Sequence, residues 1–281
     1  MTKKIDGINI RDILNIEYEG HLALTAFHGC VYFSDGNPCK FCSIPKWKDS
    51  KDRSFSRLLK AVSLAIEVGD VRHISITSGT VATADRGIKH IVKLIDKITE
   101  HLGGDIALPV FAEFEPPEDL SWIELLREKG VTSVSCNIEF LCDKQRKQLM
   151  PGKGIIPFTE YERTWKYCAE LFGCNQVFSN ILLTSDTIDH NAIDNLDKML
   201  AIGVIPSPGV LYPDPNSIIS TAEMVSFEQQ DSFLSLIAEK IVQVGLNPLR
   251  VKAGCCRNGA YSAVNEYYQH TVEQCRLAAV G

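Results

Sequence analysis

Apolar residues along this chain switch repeatedly between two spacings. Residues 21–27, His-Leu-Ala-Leu-Thr-Ala-Phe, form an apolar run that predicts a buried strand. In 54–67, Phe55, Leu58, Leu59, Val62, Leu64, Ala65 and Ile66 recur at helical spacing. Residues 71–77 alternate as a strand does and end in Ser78-Gly79-Thr80. Ile88, Ile91, Val92, Ile95, Ile98 and Leu102 predict a second helix, stopped by Gly103-Gly104. The alternation then continues with a strand over 106–114, a helix opened by Pro116-Pro117 over 121–129, and a strand over 131–140. A helix over 159–172, a strand over 176–183, a helix over 188–202, a strand over 203–211 and a long helix over 221–244 follow. The tail from Asn247 is irregular, then helical from Glu266.

Strand and helix alternate about six times, the signature of a parallel sheet with right-handed crossovers. The count is two units short of a closed eightfold barrel. The expected fold is α/β, a partial (βα)6 TIM-like barrel with an irregular C-terminal tail. Residues 1–246 form the barrel, and 247–281 pack on it within the same structural domain. Functional groups in such sheets gather at the carboxyl ends of the strands. Thr77 to Thr80, Glu113, Glu115, Asn137, Glu139, Ser179 to Thr184 and Pro206 to Tyr212 are therefore expected around one pocket.

Composition narrows the class. With 281 residues, 45% hydrophobic and 23% charged, the chain is globular and long enough for a large core. A net charge of −6 argues against a nucleic-acid binder that works by counterion release. No apolar run reaches the roughly 18 residues of a membrane span, and the N-terminus lacks the apolar segment of a signal peptide. Ten cysteines with no export signal point to reduced thiols in the cytoplasm. Cys136, Cys168 and Cys174, in apolar segments, are expected as small buried hydrophobes.

Three other cysteines carry the chemistry. Cys30, Cys39 and Cys42 fall in one loop directly after the first strand, and Asp35-Gly36-Asn37-Pro38 is a turn that can fold Cys30 back onto the other two. Structural zinc takes four ligands, as does a cubane iron-sulfur cluster held entirely by protein. Three thiolates leave one position open to an exogenous ligand. Structural zinc with His28 as the fourth ligand is the competing reading of the triplet.

This loop, with Phe41 just before its last cysteine, resembles that of the radical S-adenosylmethionine (radical SAM) superfamily, and the resemblance covers most of the chain. The spacing here is eight residues then two, where three then two is usual. Further matches resemble the biotin-synthase-like branch. Thr77-Ser78-Gly79-Thr80 stands where that family binds the methionine amino group. Asn137-Ile-Glu139 resembles its ribose-binding Asn-x-Asp, and Arg163 in Tyr161-Glu-Arg163 falls where an arginine pairs with the methionine carboxylate. Ser179 or Asn180 would lie near the adenine. The family's Gly-Leu-Gly-Glu after the fifth strand is replaced by Leu183-Thr-Ser-Asp186.

The resemblance implies a 4Fe-4S cluster on Cys30, Cys39 and Cys42. The cluster cleaves S-adenosylmethionine to a 5′-deoxyadenosyl radical that abstracts hydrogen from a small molecule or cofactor precursor. Sulfur insertion, rearrangement and bond cleavage all remain open as outcomes. A flavodoxin- or ferredoxin-type electron donor is implied, with no nucleic-acid or membrane partner. Phe27 and Phe41 would shield the radical from water. The alternative is a zinc- or cluster-binding accessory protein without turnover.

Other polar groups are open to two readings. Glu113 and Glu115 share a face before Pro116 and would do acid-base work or bind a cationic substrate, or else form an internal salt bridge to Lys or Arg. Lys153, in Met150-Pro-Gly-Lys153-Gly, would reach an anionic substrate group or lie exposed on its loop. In the tail, Cys255-Cys256 precede Asn258 and Tyr261 where a Cys-x-x-Cys pattern might stand. A second cluster there is disfavoured, because adjacent cysteine side chains diverge. A packed tail closing the barrel is the plainer expectation, with Arg257 or Tyr261 reaching the pocket.

Overall fold

The computed structural model describes residues 4–10, 13–42, 55–69, 71–184, 190–211, 218–219, 225–259 and 262–278. Asp186, Tyr212 and Tyr261, and the expected helix starts at Ser54, Ile188 and Thr221, lie outside those residues. A small antiparallel ribbon, β1 (Lys4–Ile5) with β2 (Ile8–Asn9), precedes the main sheet. That sheet has seven strands in strict chain order: β3 (Asn15–Glu17), β4 (His21–Phe27), β5 (His73–Ser78), β6 (Val110–Glu113), β7 (Val131–Ser135), β8 (Val177–Leu183) and β9 (Ile205–Val210). Only β3 is antiparallel to its neighbour, and β4 to β9 run parallel. Six parallel strands in sequential order, each followed by a helix, make the curled half-barrel that the alternation predicted.

The crossover helices are α2 (Phe55–Glu67), α3 (Ile88–Leu102), α4 (Ser121–Glu128), α6 (Phe158–Phe172), α7 (His190–Ile202) and α8 (Phe227–Gln243), with the short α1 (Val31–Ser34) and α5 (Asp143–Leu149) inserted in loops. Each long helix turns its apolar stripe to the sheet. Ile88, Ile91, Leu94, Ile95 and Ile98 of α3 are buried, one helical face of a segment that also carries Lys89, Lys93, Lys97 and Glu100. Burying five such side chains is worth roughly 1.5–3 kcal/mol each before chain entropy is set against it.

Two strands are shorter than their apolar runs. The third expected strand begins only at Val110, because Pro109 has no N–H to give the ladder; its carbonyl accepts from Ile74 N at 3.0 Å. The fourth ends at Ser135 rather than 140. Beyond it, side chains replace the ladder: Asn137 Oδ1 accepts from Asn180 N at 2.9 Å, and Ser179 Oγ accepts from Ile138 N at 3.0 Å. Glu139 then takes φ 66°, in the left-handed region. Asn137 and Glu139 are therefore not alternate positions of one regular strand, although a parallel bridge from Glu139 to Ile181 resumes the pairing with β8.

The tail closes the amino-terminal end of the half-barrel. Lys252 N donates to Gln176 Oε1 (3.1 Å), Ala253 N to Ser133 Oγ (3.3 Å), and Gly254 N to His73 Nδ1 (3.3 Å). Gly254 sits at φ 102° against the stacked rings of Phe111 and Phe178, and an added Cβ would stand 2.8 Å from Phe178 and 2.9 Å from Phe111. After α9 (Cys255–Asn258), the last helix, α10 (Val264–Ala278), lies along α8. Among the described residues no helix is long and apolar enough to cross a membrane.

Candidate active site

The cysteine loop is strapped to the carboxyl end of the sheet from two sides. On the β5 side, Gly79 N donates to Phe27 O (2.9 Å) and Val31 N to Thr80 O (2.8 Å). The approach is so close that a Cβ on Gly79 would come within 1.7 Å of Gly29 O. On the other side, Lys40 N donates to Leu149 O (2.8 Å) and Gly152 N to Asn37 O (3.1 Å), with Tyr32 packed where a Gly152 side chain would be. Beneath the loop, Cys39 and Phe41 rest on the apolar cluster of Phe140, Leu149, Met150, Leu182 and Leu211. Phe41 meets Phe140 edge-on at 5.8 Å, whereas Phe27 stacks on His90 of α3. Of the two aromatics expected to shield the site, Phe41 lies beside the cysteines and Phe27 packs against a helix.

Burial pushes the Cys39 thiol up to about 12; Lys153 pulls it back, while Glu139, Cys42 and Cys30 push it further. Cys39 thus feels both other thiols of the loop, and ionising all three calls for a centre of positive charge. Soft sulfur donors in this number suit an iron-sulfur cluster with one open corner. Among the described residues no group of three or more His, Cys, Asp and Glu is gathered closely enough to hold a metal ion.

Around the loop the strand ends bring acids and one lysine together. Glu115 is buried and both its oxygens are taken: Tyr32 donates to Oε1 at 2.7 Å and Thr80 to Oε2 at 3.1 Å. It clamps α1 to the end of β5. Glu113, register partner of Thr77 on β5 and Ser135 on β7, is raised to about 7 by burial and by Glu139, against Lys153 and a hydrogen bond from Asn137. Burial likewise raises Glu139, whose carboxylate lies 3.6 Å from Lys153 Nζ. Lys153, whose side chain is only 14% exposed, is held in this cluster by the single 3-10 turn Lys153–Ile155. Burial works against its charge, but Tyr161, Glu139, Cys39 and Glu115 outweigh that and hold its pKa above the ordinary value. Lys153 is therefore largely buried beside Glu139 rather than exposed on its loop.

The remaining expected residues fall in three places. Ser78 Oγ donates to Gly79 O (3.1 Å), within the strap. Asn180 Oδ1 lies 3.7 Å from Cys255 Sγ, while the Ser179 hydroxyl supports the turn at Ile138. Arg163 is spent elsewhere, on Glu160 (2.9 Å) and the Pro117 carbonyl (2.9 Å). Its neighbour Tyr161 is fully buried beside Lys153, with Arg146 5.5 Å from its ring. The Tyr161 hydroxyl and Arg146 Nε and Nη1 have no hydrogen-bond partner among the described residues, though Arg146 is only 2% exposed. Buried donors in that state are costly unless something accepts from them. Arg146 was missed because 143–149 reads as a charged, aperiodic stretch. Its one available signal was Asp143 three residues earlier, the salt-bridge partner at 2.9 Å.

Residues 25–197, more than half of the chain, match the profile of the Radical SAM superfamily. This chain belongs to the radical SAM superfamily. A bacteriochlorophyllide c C-7(1)-hydroxylase from Chlorobaculum limnaeum is 22% identical over 229 residues, which is 75% of this chain and 55% of that protein. The chain therefore spans about half the length of the curated relative it matches. Among solved structures, methylornithine synthase superposes with a TM-score of 0.58 at 15% identity, over 84% of this chain and 65% of the other. Streptococcus suis SuiB bound to S-adenosylmethionine gives 0.58 at 16%, over 82% and 48%. The [FeFe]-hydrogenase maturase HydG from Carboxydothermus hydrogenoformans gives 0.57 at 17%, over 80% and 51%. These likenesses establish the radical SAM partial barrel. Membership implies a 4Fe-4S cluster and S-adenosylmethionine.

Proposed function

We propose that this radical SAM chain acts on a small polar molecule held in the half-barrel between the cysteine loop and the tail. The observation that carries the reading is the convergence of three loop thiols with Glu113, Glu139 and Lys153 at the carboxyl ends of the strands. Cys30, Cys39 and Cys42 would hold the cluster. When bound, cluster and S-adenosylmethionine supply a 5′-deoxyadenosyl radical that takes hydrogen from a substrate carbon.

The chain's own residues would bind and orient. Thr77, Ser78, Gly79 and Thr80 border the methionine amino group, and Asn137 with Glu139 serve the ribose. Asn180 and the backbone at Ser179 border the adenine. The carboxylate partner read from the sequence was Arg163; because it is engaged with Glu160 and Pro117, the proposal moves that role to Lys153, supported by the unpartnered Tyr161 and Arg146 donors. Phe41 and the apolar cluster beneath it keep water from the loop. Glu113, half protonated near neutrality, is the proposed acid-base group on the substrate side. Glu115 positions Tyr32 and Thr80 instead.

Cys256 is buried in the core while Cys255 lies beside Asn180, so the tail offers no paired ligands for a second cluster, and sulfur donated from one is disfavoured. Rearrangement and bond cleavage are kept as outcomes. All ten cysteines are unpaired, which supports a cytoplasmic location, and a flavodoxin- or ferredoxin-type protein is the proposed electron donor. Residues 247–281 are proposed to be one unit with the barrel they close. Anaerobic reconstitution with iron and sulfide, then dithionite and S-adenosylmethionine, tests the reading. Cluster-dependent 5′-deoxyadenosine is expected; a protein that takes up only zinc and forms none would refute the reading.

A further inference from the structure

The outer rim of the cysteine loop has no part in the binding assigned above, yet it is built as one surface. Backbone bonds join its pieces. Ile218 N donates to Lys40 O (2.8 Å), and Lys40 N donates to Leu149 O at the end of α5 (2.8 Å). Gly154 N donates in turn to Met150 O (2.6 Å), which folds the Lys153–Ile155 turn back onto α5. The fit is close: a Cβ on Gly154 would stand 2.1 Å from Arg146 O. Ile218, Lys40, α5 and Ile155 therefore follow one another along the rim, and Lys40 is the residue next to Cys39.

Two properties set this rim apart from an ordinary solvated loop. Its ends are apolar, with Ile155 73% and Ile218 67% exposed. One exposed apolar side chain is ordinary, but two flanking a single charged stretch mark a contact surface. Between them the charge is positive. Helix α5 buries Gln145, Arg146 and Leu149 and leaves Lys144 and Lys147 exposed. Lys40, Lys144 and Lys147 form no ion pair among the described residues, whereas Asp143 is matched by Arg146 at 2.9 Å. Asp35 is then the one unmatched acid of residues 30–42 and 143–155. A chain of net charge −6 thus keeps a local excess of cations beside the thiols.

We propose that this rim is the docking surface for an acidic one-electron carrier protein, with Ile155 and Ile218 as apolar anchors and Lys40, Lys144 and Lys147 steering the approach. The inference rests on the radical SAM reading of the loop and gives the electron donor its place. One electron passes from the reduced carrier to the cluster: the carrier is oxidised, the cluster is reduced, and no bond forms or breaks in that step. Transfer falls off exponentially with distance, and this rim adjoins the loop whose thiols would hold the cluster. Complementary charge speeds the encounter, and such short-lived complexes need little buried area.

The test reads binding and electron delivery separately on the full-length protein. The probe is a purified acidic flavodoxin, oxidised for calorimetric titration and reduced for turnover. Wild type is expected to bind it at low salt and to lose affinity as salt is added. Lys144→Glu with Lys147→Glu should bind about tenfold more weakly and with a shallower salt dependence. The milder pair Lys144→Gln with Lys147→Gln should fall between. Ile155→Ser should weaken binding about fivefold and leave the salt dependence as it was. Lys93→Glu with Lys166→Glu makes the same change of charge at exposed positions of α3 and α6, and should bind as wild type does.

In reconstituted protein, 5′-deoxyadenosine formed with reduced flavodoxin should fall in the α5 variants. Formation with dithionite, which needs no docking, should stay at the wild-type rate. Flavodoxin that fails to bind wild type, binds the α5 variants equally well, or is weakened equally by the α3 and α6 changes overturns the proposal. A loss shared with dithionite also overturns it, because the damage then lies in the site and not in docking. No 5′-deoxyadenosine from wild type with dithionite sinks the radical reading instead, and the titrations alone then decide whether the rim docks an acidic protein.

Discussion

Gly79 makes the sharpest test of how the cysteine loop is held. Replacing it with alanine puts a Cβ 1.7 Å from Gly29 O and 2.9 Å from Gly29 C, both backbone atoms that cannot rotate away. Loop and strand must part by well over an ångström to relieve that overlap. The parting strains or breaks Gly79 N–Phe27 O and Val31 N–Thr80 O, at 2.9 and 2.8 Å. Two backbone bonds at about 0.5–1.5 kcal/mol each, plus about 1–3 kcal/mol of overpacking, give a cost of roughly 2–6 kcal/mol. A global stability of about 5–15 kcal/mol would survive the lower end of that range, with the loop detached locally. Two assays separate these outcomes: urea denaturation of the apoprotein, and iron and sulfide bound per chain after reconstitution. Gly104→Ala is the control, since nothing lies within 4 Å of its added Cβ. Expected for Gly79→Ala is a lower urea midpoint or a clear loss of iron, with Gly104→Ala unchanged. Wild-type iron content together with a wild-type midpoint would refute the strap.

Other perturbations reach different parts of the site. Cys30→Ala, Cys39→Ala and Cys42→Ala should each abolish 5′-deoxyadenosine formation, and a variant that keeps it removes that thiol from the ligand set. Lys153→Ala should weaken S-adenosylmethionine binding by about 1.5–3 kcal/mol, the range for charged hydrogen bonds, with Arg163→Ala nearly neutral; calorimetric titration showing the reverse would return the carboxylate to Arg163. Glu115→Ala strips the acceptor from Tyr32 and Thr80 and should cost about 2–4 kcal/mol by urea denaturation, with Glu115→Gln recovering most of it. His73 is lowered to about 4 from an ordinary 6.5 by burial first, then by His21 and Arg257. Because the unfolded chain protonates it more readily, its stabilisation is full above pH 6.5 and is lost as pH falls toward 4, by at most about 3 kcal/mol. Melting curves from pH 7 to 4.5 should show a steeper loss in wild type than in His73→Asn; parallel curves would mean His73 is not the group responsible.

The order of strands and crossover helices was legible because each long element carries its own periodicity, as the stripe Ile88, Ile91, Ile95 and Ile98 does. The cysteine loop was legible because thiols in one short segment need no tertiary partner to be noticed. Short elements were not. The Asn15–Glu17 strand has three residues, too few for an alternation to register, and α5 reads Asp-Lys-Gln-Arg-Lys-Gln-Leu, polar but for its last residue, although Gln145, Arg146 and Leu149 are all buried. The run 131–140 looked like one strand because apolar patterning does not reveal where side chains such as Asn137 and Ser179 take over the ladder.

By itself, then, the sequence determined the half-barrel, the face on which its chemistry gathers, and the three thiols that begin it, all encoded in local spacing. Tertiary structure alone decided that Lys153 is largely buried against Glu139, that Arg163 reaches the Pro117 carbonyl, and that Cys255 meets Asn180 while Cys256 turns into the core. Those assignments depend on which distant segment a long or polar side chain meets. The partners lie 14 residues away for Lys153 and 75 for Cys255. Local patterning carries no record of contacts at that separation, because burial energy is set by whichever surfaces the completed sheet brings together.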